Sequence, residues 1–112
     1  MTVSGLCEAL PLGVAHLEDD REVTCVFCCD LLSVAMAKAP EEAAWVTVIG
    51  NANAVAVASL ADVACIVLAE GYSYDDAAVT AAKGKVTLLK SDEPAYETAV
   101  SIGRQVPQPT RT

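Results

Sequence analysis

Beyond Ala44 the spacing of apolar positions changes period three times. Three short runs, Trp45-Val46-Thr47-Val48-Ile49, Ala64-Cys65-Ile66-Val67-Leu68 and Val86-Thr87-Leu88-Leu89, are almost continuously apolar. Strands covered on both faces have this character. Each run is followed by a turn and an Ala-rich segment: Asn53 to Leu60, Asp75 to Lys83 and Glu93 to Gly103. These segments read as helices. Ser73 stands before the second, with Asp76 in the position of a capping-box partner, and Pro94 falls in the first turn of the third. Gly84 and Gly103 are placed to end the second and third. Repeated strand, turn and helix at about twenty-residue intervals predict a parallel sheet with right-handed crossovers.

The first forty residues follow another plan. Val3, Leu6, Cys7 and Leu10 fall at helical spacing and Pro11 stops the run, so Val3 to Leu10 reads as a short helix. Gly13 to Leu17 and Glu22 to Cys28 flank the charged turn Glu18-Asp19-Asp20-Arg21 and read as two short strands paired with each other. Leu31 to Ala39 reads as a helix ended by Pro40, with Asp30 as its N-cap and Leu31 and Leu32 in the core. The predicted fold is α/β and three-layered. Its mostly parallel sheet comes from three βα units plus an N-terminal helix and short strands, in one domain over residues 1–104. The tail 105–112, rich in Pro, Gln and Thr, is expected to fray.

Composition narrows the function classes. A net charge of −8 repels nucleic acid. No apolar run approaches the roughly twenty residues of a membrane span, and Thr2 to Leu10 lacks the basic start of a signal peptide, so a cytoplasmic protein with no membrane partner is expected. Five cysteines, two of them adjacent, suit reduced thiols. A hydrophobic content of 54% in 112 residues exceeds what one small core covers readily, and a homodimer is the expected outlet.

Candidate chemistry is sparse. A phosphate-cradling kinase loop needs Gly and Lys-Ser/Thr opening a helix, whereas Gly84-Lys85 here enters a strand. Cys25-Val26-Phe27-Cys28-Cys29 contains a C-x-x-C pair. On a strand, however, Cys28 and Cys29 point to opposite faces and only Cys25 and Cys29 share one. The cysteines are therefore read as small buried hydrophobes, with a reactive surface thiol as the alternative. No metal and no cofactor is expected, and the sole His16 is read as structural. The strand-to-helix turns are the best ligand-binding candidates: Gly50, Asn51 and Asn53 after the first strand, Gly71, Tyr72 and Ser73 after the second, and Lys90 and Ser91 after the third. Their N–H groups at Asn53, Asp75 and Glu93 are expected to face one shallow cleft, with Tyr72 or Tyr74 as an aromatic wall. Its acidic rim disfavours a polyphosphate.

Arg21-Glu22-Val23-Thr24, Asp30-Leu31-Leu32-Ser33 with Met36, Trp45-Val46-Thr47, Val55-Ala56-Val57-Ala58-Ser59-Leu60, Ile66-Val67-Leu68 with Gly71, and Ala95-Tyr96-Glu97-Thr98-Ala99 follow in an order that resembles the small stand-alone DRTGG-domain proteins over residues 3–104. Gly50-Asn51-Ala52-Asn53 stands where many of them carry Asp-Arg, and Ala69-Glu70-Gly71 where they carry Thr-Gly-Gly. The resemblance implies an α/β accessory module similar to the N-terminal domain of HPr kinase/phosphorylase. Copies of this kind occur near iron-only hydrogenase genes of anaerobic bacteria. The expected function is a non-catalytic regulatory domain that binds a partner protein, and the resemblance implies a tie to hydrogenase or redox metabolism. A small-molecule sensor with a cleft at the strand ends is the alternative.

Overall fold

The computed structural model describes residues 1–106. Its elements are α1 (Val3–Ala9), β1 (Gly13–His16), β2 (Cys25–Cys28), α2 (Leu32–Lys38), β3 (Ala43–Thr47), α3 (Ala52–Ala61), β4 (Cys65–Leu68), α4 (Asp76–Ala82), β5 (Thr87–Lys90) and α5 (Ala95–Gln105). One five-stranded sheet runs in the order β1-β5-β4-β3-β2. β2, β3, β4 and β5 are parallel to their neighbours, while β1 lies antiparallel along β5. The fold is α/β with a largely parallel sheet, as its sequence pattern predicts.

Side chains alternate across this sheet. Cys25, Trp45, Ile66 and Leu88 pack with Ala35 of α2, Ala54, Val55 and Ala58 of α3, and Ala78 and Ala82 of α4. Ala44, Val46, Cys65, Val67 and Leu89 face the other way, onto Val3 and Leu6 of α1 and Ile102 of α5. Three helices therefore cover one face and two the other. The period-2 alternation inside nearly continuous apolar runs builds two cores from the same strands.

β1 and β2 do not pair with each other, which corrects the expected hairpin. They occupy opposite edges of the sheet. The charged turn between them is used for other bonds. Val3 N–H donates to the Arg21 carbonyl at 2.9 Å and Val23 N–H to that of Met1 at 2.7 Å, while the Asp20 carboxylate accepts from the Ser4 amide and hydroxyl. Arg21 in turn grips Asp62 and the Val63 carbonyl. Residues 18–23 thus form a crossing under the strand-start edge. β2 becomes free to extend the parallel sheet, which has four βα units in place of the expected three.

Several local readings also change. Asp30 does not cap α2: its carboxylate accepts from the Thr47 hydroxyl at 2.8 Å and the Val48 amide at 3.0 Å. Leu31 takes the cap position with no side-chain bond, and it is 60% exposed where a core position was expected. Leu32 does pack on the core. Asp75, in place of Ser73, caps α4 by accepting from Ala78 N–H at 2.7 Å. Gly84 follows α4 as expected, in a left-handed conformation. Gly103 instead lies inside α5, which runs to Gln105, and Val106 is buried at 1% exposure. The tail read from Gln105 thus gives its first two residues to the fold, and 107–112 lie outside the described residues. No helix among the described residues is long and apolar enough to cross a membrane.

Candidate functional site at the strand ends

The parallel strands deliver their following loops to one edge, as anticipated. Because β2, β3, β4 and β5 are laid down in one direction, α2, α3 and α4 share a face, and α5 is the first helix of the parallel series to cross to the other. The chain therefore diverges to opposite faces after β4 and β5. Open α/β sheets bind ligands where neighbouring connections diverge in this way. Gly71, Tyr72, Ser73, Lys90 and Ser91 flank that point, with Gly50, Asn51 and Asn53 one strand away.

The divergence is closed by the protein's own bonds. Glu70 N–H donates to the Glu93 carbonyl at 2.9 Å and Gly71 N–H to that of Ser91 at 3.1 Å. Glu70 and Gly71 both take positive φ, which turns their amides toward the β5–α5 loop. Lys90 Nζ donates to Ser73 Oγ at 3.2 Å. On the other side, Asp75 N–H donates to the Gly50 carbonyl at 3.0 Å. A Cβ on Gly50 would lie 3.0 Å from Leu68 Cδ2 and 3.1 Å from the Ser73 carbonyl. Glycine stands there because the two loops are in contact.

The anion-binding potential of the helix starts is likewise used internally. Asn51 accepts from Ala54 N–H at 3.0 Å, Asp75 from Ala78 N–H, and Glu70 from Ala95 N–H at 2.7 Å. Each of α3, α4 and α5 thus already holds a side-chain oxygen at the positive end of its dipole. Of the three amides expected to face a common cleft, Asp75 binds Gly50 and Glu93 binds Ser91 Oγ at 3.1 Å. Ser91 is 5% exposed, and its hydroxyl also meets Thr98 at 2.8 Å. Tyr74 does not form an aromatic wall: its hydroxyl donates to the Leu89 carbonyl at 2.7 Å, and burial pushes its pKa upward. Asn51, Asn53, Gly71, Tyr72 and Ser73 are exposed along the edge.

Among the described residues two depressions stand out, and the first borders the strand-end edge at Ser91 and Glu93. One of about 20 Å³, beside Leu10, Leu12, Ser91 and Thr98, has room for about one water. One of about 90 Å³ opens at the strand-start edge among Glu18, Arg21, Lys85 and Thr87. Small-molecule sites are typically about 300–1000 Å³.

The thiols divide by face as strand geometry predicts. Cys25 and Cys29 pack on the α2–α4 side, and Cys65 is fully buried, its pKa pushed up to about 12 by that burial. Cys28 departs from the buried reading and is exposed. Partial burial and the nearby Asp30 raise its pKa, which keeps the thiol in its less reactive form. His16 bonds Glu18, whose carboxylate also accepts from Gly84 N–H at 2.8 Å. That pins the end of β1 to the turn before β5. Among the described residues no three His, Cys, Asp or Glu side chains converge as metal ligands.

A second surface was not anticipated. α3 lies in the middle of the α2–α4 layer, and its ten residues ANAVAVASLA carry no charge. Val55, Val57 and Ala58 face the core, while Asn53, Ala56 and Leu60 form an exposed stripe on which Leu60 is 76% exposed. On α2 beside it, Val34 and Met36 are 36% and 55% exposed, and Ala37 is exposed. The legible signal was a helix apolar all round, a pattern that belongs to helices covered on every side. No family model matches the chain, and no curated protein matches it.

Proposed function

We propose that this chain is a non-catalytic accessory domain of the DRTGG kind, which works by binding protein through the outer face of α2, α3 and α4. The observation that carries this reading is Leu60, a large apolar side chain 76% exposed on an uncharged helix in the middle of its layer. Extended apolar surface, more than any single exposed side chain, marks an interaction site, and Val34 and Met36 on the adjoining α2 add to the exposed apolar surface of this layer. The placement of the reactive groups supports the non-catalytic part. The imidazole of His16 is held by Glu18 at the strand-start edge, and Asp30, at the opposite edge, is bonded to Thr47 and Val48. The internally capped helix starts count against the sensing alternative, since a ligand at the strand ends must displace Glu70 from α5. The resemblance in the order of sequence words supports an accessory role.

The test is site-specific photo-crosslinking in the cells that make the protein. A photoreactive residue at position 60 should give a discrete protein adduct, and one at Tyr72, on the strand-end edge, should give none. Adducts at position 72 with none at 60 overturn the reading.

A further inference from the structure

We infer that residues 13–19 form a strap that opens as one unit while β2, β3, β4 and β5 stay paired, and that Glu18 is its latch. The two edges of the sheet are held unequally. At the β2 edge Val23 and Cys25 are buried, Thr24 N–H donates to the Glu42 carbonyl at 3.0 Å, and Trp45 Nε1 donates to the Cys29 carbonyl at 2.9 Å. At the β1 edge no residue from Gly13 to Asp19 is buried. Val14 and Leu17 are 52% and 61% exposed, and Ala15, half-buried, touches the α2–α4 core. The ladder to β5 also shifts register between Val14 and His16, where it skips Ala15. Segments with little buried apolar surface open at free energies below that of global unfolding.

Both ends of this segment are fixed, so it can lift without pulling the molecule apart. On one side Leu10 and Leu12 pack on the core under α1 and α5. On the other, Asp20 accepts from the Ser4 amide and hydroxyl, and Arg21 holds Asp62. Among the described residues, the bonds that hold the strap beyond its ladder gather at Glu18. Its N–H donates to Thr87 Oγ1 at 2.9 Å, and a single carboxylate oxygen, Oε2, is bonded by both His16 Nε2 and the Gly84 amide. That oxygen ties the end of β1 to the turn before β5. Hydrogen bonds to an ionised acceptor are about twice as strong as neutral ones. Glu18 also walls the depression of about 90 Å³ at the strand-start edge, beside Arg21, Lys85 and Thr87. Lifting the strap removes that wall and bares the outer backbone edge of β5, with the Thr87 hydroxyl and the Gly84 amide, to solvent.

Residue-resolved hydrogen exchange on the purified full chain tests this. After correction for intrinsic rates, the Glu18 and Gly84 amides and the β5-bonded amides of β1 should share one level of protection, on the order of a hundredfold or more below that of the β3 and β4 amides. Glu18→Ala should lower protection across β1 by about tenfold and leave β3 and β4 unchanged. Amides of β1 as protected as those of β3 and β4 overturn the strap, and β1 amides with no protection at all overturn it too, since no closed state then exists. A Glu18→Ala chain that loses protection equally in every strand, or fails to fold, shows that the segment is not separable and overturns the inference. Glu18→Ala that frees the Gly84 amide alone and leaves β1 unchanged overturns the latch.

Discussion

The strand-end edge and the outer face of α3 are built from opposite sequence signals, and each does the reverse of what its signal indicates by itself. The edge has the Gly, Asn and Ser turns of a ligand site, yet those turns bind one another. α3 has the composition of a buried core helix, yet its outer stripe faces solvent with Leu60 at 76% exposure. Turn residues report only that the backbone must bend and that helix ends need partners. Both needs are met internally here, by Asn51, Glu70 and Asp75. An uncharged helix reports that something covers it on every side, and the fold supplies cover on one side only.

Four measurements press on this comparison. The largest effect is expected at the closed edge. Gly50→Val drives a side chain against the Ser73 carbonyl, a backbone atom, and the buried Leu68, and should cost about 2 kcal/mol, on the order of 10 °C in melting temperature. A stability equal to wild type would mean the loops part easily and the edge can open. Removing one cap by Asn51→Ala should cost about 1 kcal/mol in denaturant titration. Full retention of stability would show that α3 does not depend on that cap and would leave Asn51 available to a ligand. At the open face, Leu60→Ser should change monomer stability by less than about 0.5 kcal/mol at high dilution, because the side chain touches little of its own chain. A loss comparable to a core deletion would place Leu60 in the core and dissolve the contrast.

The smallest effect is an acid limb that belongs to neither region. The Gly84 amide and, next, His16 hold the Glu18 carboxyl below its ordinary 4.5, and the Ser4 hydroxyl and amide hold Asp20 below its ordinary 3.8. A depressed carboxyl binds protons more readily in the unfolded chain. Its contribution is therefore present above the unfolded pKa and is lost as pH falls through the folded one. Between about pH 5 and 3 the slope of stability against pH should flatten in Glu18→Gln and Asp20→Asn. A slope unchanged in both variants would remove these two carboxyls from the acid limb.

Much of the architecture was legible along the chain. Trp45 to Thr47, Cys65 to Leu68 and Thr87 to Leu89 are strands because short β-rich runs that are nearly continuously apolar suit a strand covered on both faces. Asn51 is a cap because its side chain reaches the third amide after it. The parallel direction of β3, β4 and β5 followed from the recurrence of strand, turn and helix, and the opposite facing of Cys28 and Cys29 from the period of 2.

What local pattern could not decide was which distant group would answer each local need. β1 and β2 were eligible for a hairpin, but the backbone of Arg21 to Val23 is claimed by Met1 and Val3, and the two strands go to opposite edges. Asp30 had the form of a cap, but Thr47 and Val48, seventeen and eighteen residues away, offer it two donors at once. The strand-end turns have the form of a site, but Glu70 caps α5 from the neighbouring β4–α4 loop and the Asp75 amide is taken by the Gly50 carbonyl. Hydrophobic period is a property of one segment and is written into it. A long-range hydrogen-bond partner or a covering surface is a property of two segments, so only the tertiary structure determines whether an exposed Leu60 or a satisfied Asp30 results.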